Sequence, residues 1–260
     1  MSAGRALDRR GFLGRGLAVA GAALLGGCEE LSEQPWVRRV LDKAEILTRV
    51  SQRALISPTA LAREYSEADI STEFKANGST NPDDDEYKAN AANGFADWKL
   101  KVGGLVEQPL ELSLADLRAM PSRTQITRHD CVEGWSCIGK WTGVQLKLVL
   151  DKAQLKPAAR YIVFYCADDL GETGTDDGKY YESIGLIDAL HPQTILAYAM
   201  NGAALPIPHG APLRLRVERQ LGYKMPKYVM RIEAVEAMTT IRGGHGGFWE
   251  DLGYEWCGGI

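Results

Sequence analysis

Arg128-His129-Asp130-Cys131-Val132-Glu133-Gly134-Trp135-Ser136 is the stretch on which the fold of this chain turns, and it runs on through Cys137-Ile138-Gly139-Lys140-Trp141-Thr142-Gly143. Arg123 to Arg128 before it read as a strand, and Gly134, Gly139 and Gly143 predict irregular backbone after it. Cys131 therefore stands where a side chain is presented rather than packed. A thiolate binds soft or high-valent metals far better than a carboxylate does, and Arg128 or His129 beside it would favour the deprotonated form. Cys131 is on this reasoning the first-choice metal ligand. By spacing alone the commoner alternative is a small buried apolar residue.

A second block bears on that choice. It comprises Leu196-Ala-Tyr-Ala-Met-Asn-Gly202, Leu205-Pro206, His209-Gly-Ala-Pro-Leu-Arg214-Leu215 and Gly222-Tyr-Lys-Met-Pro-Lys227. Cys-Val-Glu-Gly-Trp-Ser followed by Trp-Thr-Gly resembles the cysteine loop of the sulfite oxidase superfamily, in its bacterial periplasmic molybdopterin branch, which includes the methionine sulfoxide reductases. The second block is similar to the pterin-binding half of the same superfamily. The likeness runs from about Ile70 to about Met238, with the two blocks in the family's order.

The bulk numbers fit one packed domain. The chain has 260 residues, of which 45% are hydrophobic, and a formal net charge of -4, which argues against a general nucleic-acid binder. Its five cysteines, Cys28, Cys131, Cys137, Cys166 and Cys257, form no CxxC pair and no zinc-finger spacing. With Cys131 on a metal and Cys28 in a leader, at most one disulfide can form among Cys137, Cys166 and Cys257.

Residues 1–30 read as an address. Asp8-Arg9-Arg10-Gly11-Phe12-Leu13 has the twin-arginine pattern, followed by an uncharged stretch from Gly16 to Cys28 that is too short and glycine-rich for a membrane span. This predicts folded export to the periplasm by the twin-arginine machinery. Leu25-Gly-Gly-Cys28 also looks like a lipobox, which would lipidate Cys28; simple signal-peptidase cleavage nearby is the alternative. Residues 31–68 are expected to hold an N-terminal helix and a linker, since Val37, Val40, Leu41, Ala44 and Leu47 recur at helical spacing after Pro35. The catalytic domain is expected over residues 69–260.

Glu64 to Asn90 is polar, without sustained periodicity, and predicts a solvated loop around the acidic turn Asn81–Glu86. Trp98, Leu100 and Val102 alternate before Gly103-Gly104, which predicts a strand and a turn. Ser113-Leu-Ala-Asp116 is a capping-box variant that opens a short helix ended by Pro121. A further helix is expected from near Thr142. It would carry Val144, Leu148 and Lys152 on one face and Leu146, Val149, Leu150 and Ala153 on another. Tyr161–Cys166 and Ile195–Met200 read as buried strands, the first followed by a polar loop to Gly178 and the second by an Asn201-Gly202 turn. Pro206, Pro208 and Pro212 predict an extended, non-helical loop around His209. Arg214, Arg216 and Arg219 have the spacing of a charged strand face. The glycine-rich run around His245, and Cys257 beyond it, carry no ligand spacing and are left unassigned.

The resemblance implies an α+β, mixed sulfite-oxidase-type molybdopterin fold and a two-electron oxygen-atom transfer on a small substrate such as a sulfoxide or sulfite. The cofactor would be molybdenum-molybdopterin, with Cys131 as the metal ligand. Tyr180, in Tyr180-Tyr-Glu-Ser-Ile-Gly-Leu186, matches an active-site tyrosine, which gives hydrogen bonds and relays protons. His209, Arg214 and Lys227 would hold the pterin and its phosphate, with the backbone at Met225 and Pro226. From Phe74-Lys-Ala-Asn77-Gly78, Asn77 and Gly78 would reach the pterin from the N-terminal side. Cys166 occupies a cofactor-touching position that is often threonine. With no haem-binding Cys-x-x-Cys-His in the sequence, electrons would pass to or from a membrane haem subunit or a cytochrome. A non-enzymatic exported binding module without metal, and a thiol redox protein using Cys131 and Cys137, are the rival expectations.

Overall fold

Period-two burial sets the first sheet. In β1 (Lys99–Gly104) Leu100 and Val102 are buried while Lys99 and Lys101 face solvent, so the strand presents one apolar face. A computed structural model describes residues 57–171 and 178–260, with isolated positions between 34 and 51. The twin-arginine stretch, Cys28 and residues 172–177 lie outside the described residues. Of the segment from Pro35 to Ile56, Trp36, Val37, Lys43, Ala44, Leu47, Val50 and Ser51 are described, and all are helical. That segment falls in a unit ending at Leu55; Ile56–Ile260 form a second unit, which carries everything below.

β1 lies between β2 (Leu110–Ser113) and β10 (Val229–Val235), and the sheet continues through β5 (Tyr161–Asp169) to β6 (Lys179–Gly185). The β1–β10 pair is parallel and the others antiparallel. The second sheet is antiparallel: β3 (Ser122–Asp130), β4 (Ser136–Gln145), β7 (Ile195–Met200) and β8 (Ala203–Ala204), with β9 (Arg214–Arg216) also on β7. One apolar cluster, including Leu100, Ile162, Phe164 and Ile232 from the first sheet and Val144, Leu196 and Leu215 from the second, joins the two. Each such side chain contributes about 1.5–3 kcal/mol by leaving water.

Helices fill the connections. Besides α1 (Asp85–Ala92) they are α2 (Leu114–Ala119), α3 (Leu146–Ala153), and the single turns α4 (Leu186–Ala189) and α5 (Phe248–Asp251). The capping box at Ser113 and Asp116 forms as expected and opens α2. The Asn201-Gly202 turn likewise joins β7 to β8, both residues at positive φ.

Four local expectations are corrected. The polar stretch before Asn90 contains α1, because Asp84 accepts the Tyr87 amide at 2.7 Å as its cap; Tyr87 is its one buried residue, too few to leave a periodic pattern. No helix starts at Thr142. β4 continues to Gln145, pairing Gly143, Val144 and Gln145 with β7, and α3 begins at Leu146, burying Leu146, Val149, Leu150 and Ala153. Gly143 belongs to a close strand approach: a Cβ there would overlap the Leu196 carbonyl and stand 2.6 Å from Ala197 Cα. Ile207–His209 form a 3-10 turn rather than extended loop, with proline tolerated in a first turn where its missing N–H costs nothing. Finally, β9 is not a charged surface face, since Arg214 and Arg216 are both fully buried.

Candidate active site

Cys131 sits in the loop of the β3–β4 hairpin, just past the Asp130–Ser136 pair. Its amide donates to the Trp135 carbonyl at 2.9 Å and its carbonyl accepts from Gly134 at 3.0 Å, closing a turn in which Gly134 takes φ +85°. Its side chain is 9% exposed and faces a cleft of about 720 Å3, counting the part open to solvent. The neighbours expected to favour its thiolate are otherwise engaged. Arg128 pairs with Asp130 at 2.8 Å, and His129 is fully buried, accepts at Nδ1 from Arg216 and is held neutral by burial and by Arg216. Burial pushes the Cys131 thiol up. A coordinated metal, which deprotonates a thiol outright, would have to supply what these side chains do not.

The same cleft is lined by Asn77, Gly78, Tyr180, Met225, Pro226 and Lys227, so seven of the ten expected site residues share one wall or another of it. Lys227 donates to the carbonyls of Asn77 at 2.6 Å, Ser79, and Pro208 at 3.2 Å, tying the N-terminal segment to the 225–227 run. Burial lowers its ammonium to about 8. The Tyr180 hydroxyl donates to the Tyr223 carbonyl, and burial, then the Glu182 charge, keep it protonated.

Three expected residues stand behind the cleft instead. Arg214 donates to the His209 carbonyl at 3.0 Å and to the Met225 carbonyl at 3.5 Å, and its guanidinium lies 4.9 Å from the Trp141 ring centre. Burial, with Arg216 alongside, lowers it to about 9. His209 packs edge-on to Phe74 at 5.6 Å and is held neutral by burial and Arg214. Cys166 is buried opposite Val229 in a β5 that runs on to Asp169, and burial pushes its thiol up.

The donor set fits an anionic cofactor bearing a soft-metal centre. Arg214 and Lys227 are buried cations whose hydrogen bonds go to carbonyls, and no carboxylate pairs with either among the described residues. Arg214 Nε, His129 Nε2 and Trp141 Nε1 have no hydrogen-bond partner, in a region where a buried donor without one costs about 1–3 kcal/mol. Arg216, by contrast, is neutralised by Glu218 at 2.6 Å. Nearby cationic charge and the Cys131 sulfur are what a phosphate-bearing, thiolate-bound metal cofactor requires.

Sequence reasoning missed the outer wall. Asp168 lines the cleft, accepts from Ser79 and is raised to about 6 by burial; Tyr223, Trp249 and Tyr254 complete the wall, with Trp249 and Tyr254 stacked at 5.3 Å. Asp168 was legible only as part of a polar loop, and the two C-terminal aromatics only as companions of a glycine-rich turn. His245 contacts Asp251 at 3.0 Å, and Cys131, Cys137, Cys166 and Cys257 are free thiols.

Residues 88–241 match the oxidoreductase molybdopterin binding domain family. The chain is 38% identical, over 96% of its length and 87% of the relative's, to a putative protein-methionine-sulfoxide reductase subunit YedZ1 of Azospira oryzae. It is 33% identical, over 94% of its length and 73% of the relative's, to the protein-methionine-sulfoxide reductase catalytic subunit MsrP of Xanthomonas axonopodis. The sulfane dehydrogenase SoxCD of Paracoccus pantotrophus overlaps 54% of this chain and 38% of that one, at 25% identity and TM-score 0.47, too slight a likeness to bear on the site. The non-enzymatic alternative falls with these matches: the chain belongs to the molybdopterin-binding oxidoreductases of the sulfite oxidase superfamily, an enzyme family whose cofactor is molybdenum-molybdopterin.

Proposed function

We propose that this chain is the exported catalytic subunit of a molybdenum enzyme that removes an oxygen atom from a sulfoxide, with Cys131 as the protein ligand to the metal. The observation that carries the reading is the placement of the Cys131 side chain in the same cleft as Lys227, with the uncompensated Arg214 behind it. The direction rests on the relatives, which are named as sulfoxide reductases or their subunits.

When bound, the molybdenum cofactor supplies the oxygen-atom transfer and stores its two electrons. The chain's own residues bind and orient. Arg214, through its unpartnered Nε, would hold the phosphate by a charge-assisted hydrogen bond, and Lys227, whose three donors already meet carbonyls, would offset its charge, with His209 against Phe74 beside them. Asn77, Gly78 and the backbone at Met225 and Pro226 form the cradle, and Cys166 packs beneath it. The Tyr180 hydroxyl, kept protonated by burial, donates to the Tyr223 carbonyl and so fixes the ring at the cleft wall, and Trp249 and Tyr254 shield the outer side from water.

The catalytic domain spans residues 69–260. With no haem-binding motif in the sequence, electrons arrive from another protein, a membrane haem subunit or a cytochrome, as the relatives' designation as subunits suggests. Export follows the twin-arginine pattern to the periplasm, with a lipid anchor at Cys28 as an option; no described helix is long and apolar enough to cross a membrane.

The test is a substrate panel on the purified holoenzyme. Reduced benzyl viologen should be oxidised with methionine sulfoxide and other sulfoxides, and sulfite with ferricyanide should give little turnover. Efficient sulfite oxidation without sulfoxide reduction would overturn the direction, and no turnover of either would overturn the substrate class.

A further inference from the structure

Behind the outer wall of the cleft lies a cluster of charges that the proposed chemistry does not use. Glu182, Lys224 and Glu250 are 0%, 1% and 3% exposed. The Lys224 ammonium donates to Glu182 Oε1 and, at 2.5 Å, to Glu250 Oε1; Glu182 Oε1 also accepts from the Ser183 amide at 2.7 Å. The second oxygen of each carboxyl has no hydrogen-bond partner. Two ionised carboxylates on one ammonium would leave a net negative charge in the interior, which burial strongly disfavours. One proton on the pair removes it. In keeping with this, burial and then the Glu250 charge hold the Glu182 carboxyl well above the usual carboxylate range. Burial pulls Lys224 down, but the two carboxyls more than offset it and keep it charged.

Each of the three is a near neighbour in sequence of a cleft-lining residue. Tyr180 lies two positions before Glu182, on the same face of β6. Tyr223 and Met225 flank Lys224, and Trp249 precedes Glu250. Gly247 gives the cluster its room: a Cβ there would stand 2.7 Å from Glu182 Oε1 and overlap Glu250 Oε2. Trp256 closes it, with its ring centre 5.1 Å from Lys224 Nζ and its Nε1 donating to Ser183 Oγ at 2.9 Å. The titratable groups that interact with the carboxyls are Lys224, Tyr223 beside it, Tyr180 from β6 and Cys166 from β5; Asp168 acts on Tyr180, and Glu255 and Cys257 act on Tyr223. Among these groups Lys224 alone is cationic.

We propose that Glu182, Lys224 and Glu250 are positioning residues: with the Lys224 ammonium bridging the two carboxyls, they tie β6, the 222–224 turn and α5 together and fix where Tyr180, Tyr223 and Trp249 meet the substrate. The inference rests on the reading of the cleft as the active site. As pH rises and the proton leaves, the two carboxylates compete for one ammonium, the three segments part and KM increases.

The test uses the holoenzyme with methionine sulfoxide and reduced benzyl viologen, comparing wild type with Glu182→Gln, which keeps the shape but has no proton to lose, and Glu182→Ala. Molybdenum content should be unchanged in all three. The wild-type KM should rise more steeply than that of Glu182→Gln as pH is raised above the usual carboxylate range, because Asp168 and Lys227 titrate in both proteins and Glu182 only in wild type. Glu182→Ala should raise KM roughly tenfold with kcat little affected. A second reading needs no turnover. A carboxyl whose folded pKa is raised stabilises the fold below its unfolded pKa, and that stability is lost as pH rises through the folded value. The melting temperature of wild type relative to Glu182→Gln should therefore fall as pH rises. If Glu182→Gln tracks wild type in both pH series, or Glu182→Ala folds with an unchanged KM, the proposal is overturned. Cys131→Ala run alongside separates the two claims: retained molybdenum and turnover there would sink the site reading, while the melting series would still decide the triad.

Discussion

Replacing Arg214 by methionine should leave the cofactor-free protein almost as stable as wild type while abolishing cofactor retention. Arg214 is fully buried, and burial lowers its guanidinium from the usual 12.5 to about 9. At about 1.4 kcal/mol per tenfold change in proton affinity, holding the charge there costs on the order of 5 kcal/mol. Against that stand two hydrogen bonds, to the carbonyls of His209 at 3.0 Å and Met225 at 3.5 Å, worth about 1.5–3 kcal/mol each for a charged donor and less for the longer one. The contact with Trp141 adds about 1 kcal/mol. The terms nearly cancel, so urea unfolding of cofactor-free Arg214→Met should fall within about 1–2 kcal/mol of wild type. A buried arginine satisfied by a carboxylate would instead cost about 3–5 kcal/mol on removal. Molybdenum and pterin, measured after purification from a cofactor-competent host, should drop to near background. A cofactor-free variant destabilised by more than about 3 kcal/mol, or one that still copurifies with molybdopterin, would refute the view that Arg214 awaits an external anion.

Gly143→Ala should destabilise the fold by about 3 kcal/mol, seen in urea unfolding, because the new methyl overlaps the Leu196 carbonyl and stands 2.6 Å from Ala197 Cα across the β4–β7 pair. Lys227 predicts a pH dependence: burial lowers its ammonium to about 8, so the cation is present below that pH and lost above it. Calorimetric titration of cofactor-free protein with sulfate, which keeps its charge throughout, should show affinity falling as pH passes about 8 in wild type. In Lys227→Gln the affinity should be weak and level; a level wild-type profile would contradict this assignment.

What could be read from the sequence was local. The alternation of Trp98, Leu100 and Val102, the Ser113–Asp116 box and the Asn201-Gly202 turn each specify structure through neighbours a few residues away, and each forms. Gly143 went astray because its reason lies in Leu196 and Ala197, more than fifty residues on, where a strand partner overrides a weak helical pattern. Arg216 looked like surface charge because its neutralising Glu218 sits two residues away, which by spacing alone describes an exposed face equally well. In the site, Cys131, Lys227 and Arg214 stood out through the motif that carries them. Asp168, Tyr223, Trp249 and Tyr254 reach the cleft only through tertiary packing, and Trp249 and Tyr254 lie beyond the 88–241 segment that matches the family. The pairing of Glu182 and Glu250 on Lys224 brings together three segments that no spacing rule connects.

Molybdenum K-edge X-ray absorption on purified wild type and Cys131→Ser, with metal content measured on the same samples, tests the central assignment most directly. The account predicts that the variant, where it retains metal, shows one fewer sulfur in the first shell, with an oxygen in its place. An unchanged sulfur count at full molybdenum occupancy would mean that the Cys131 sulfur does not bind the metal.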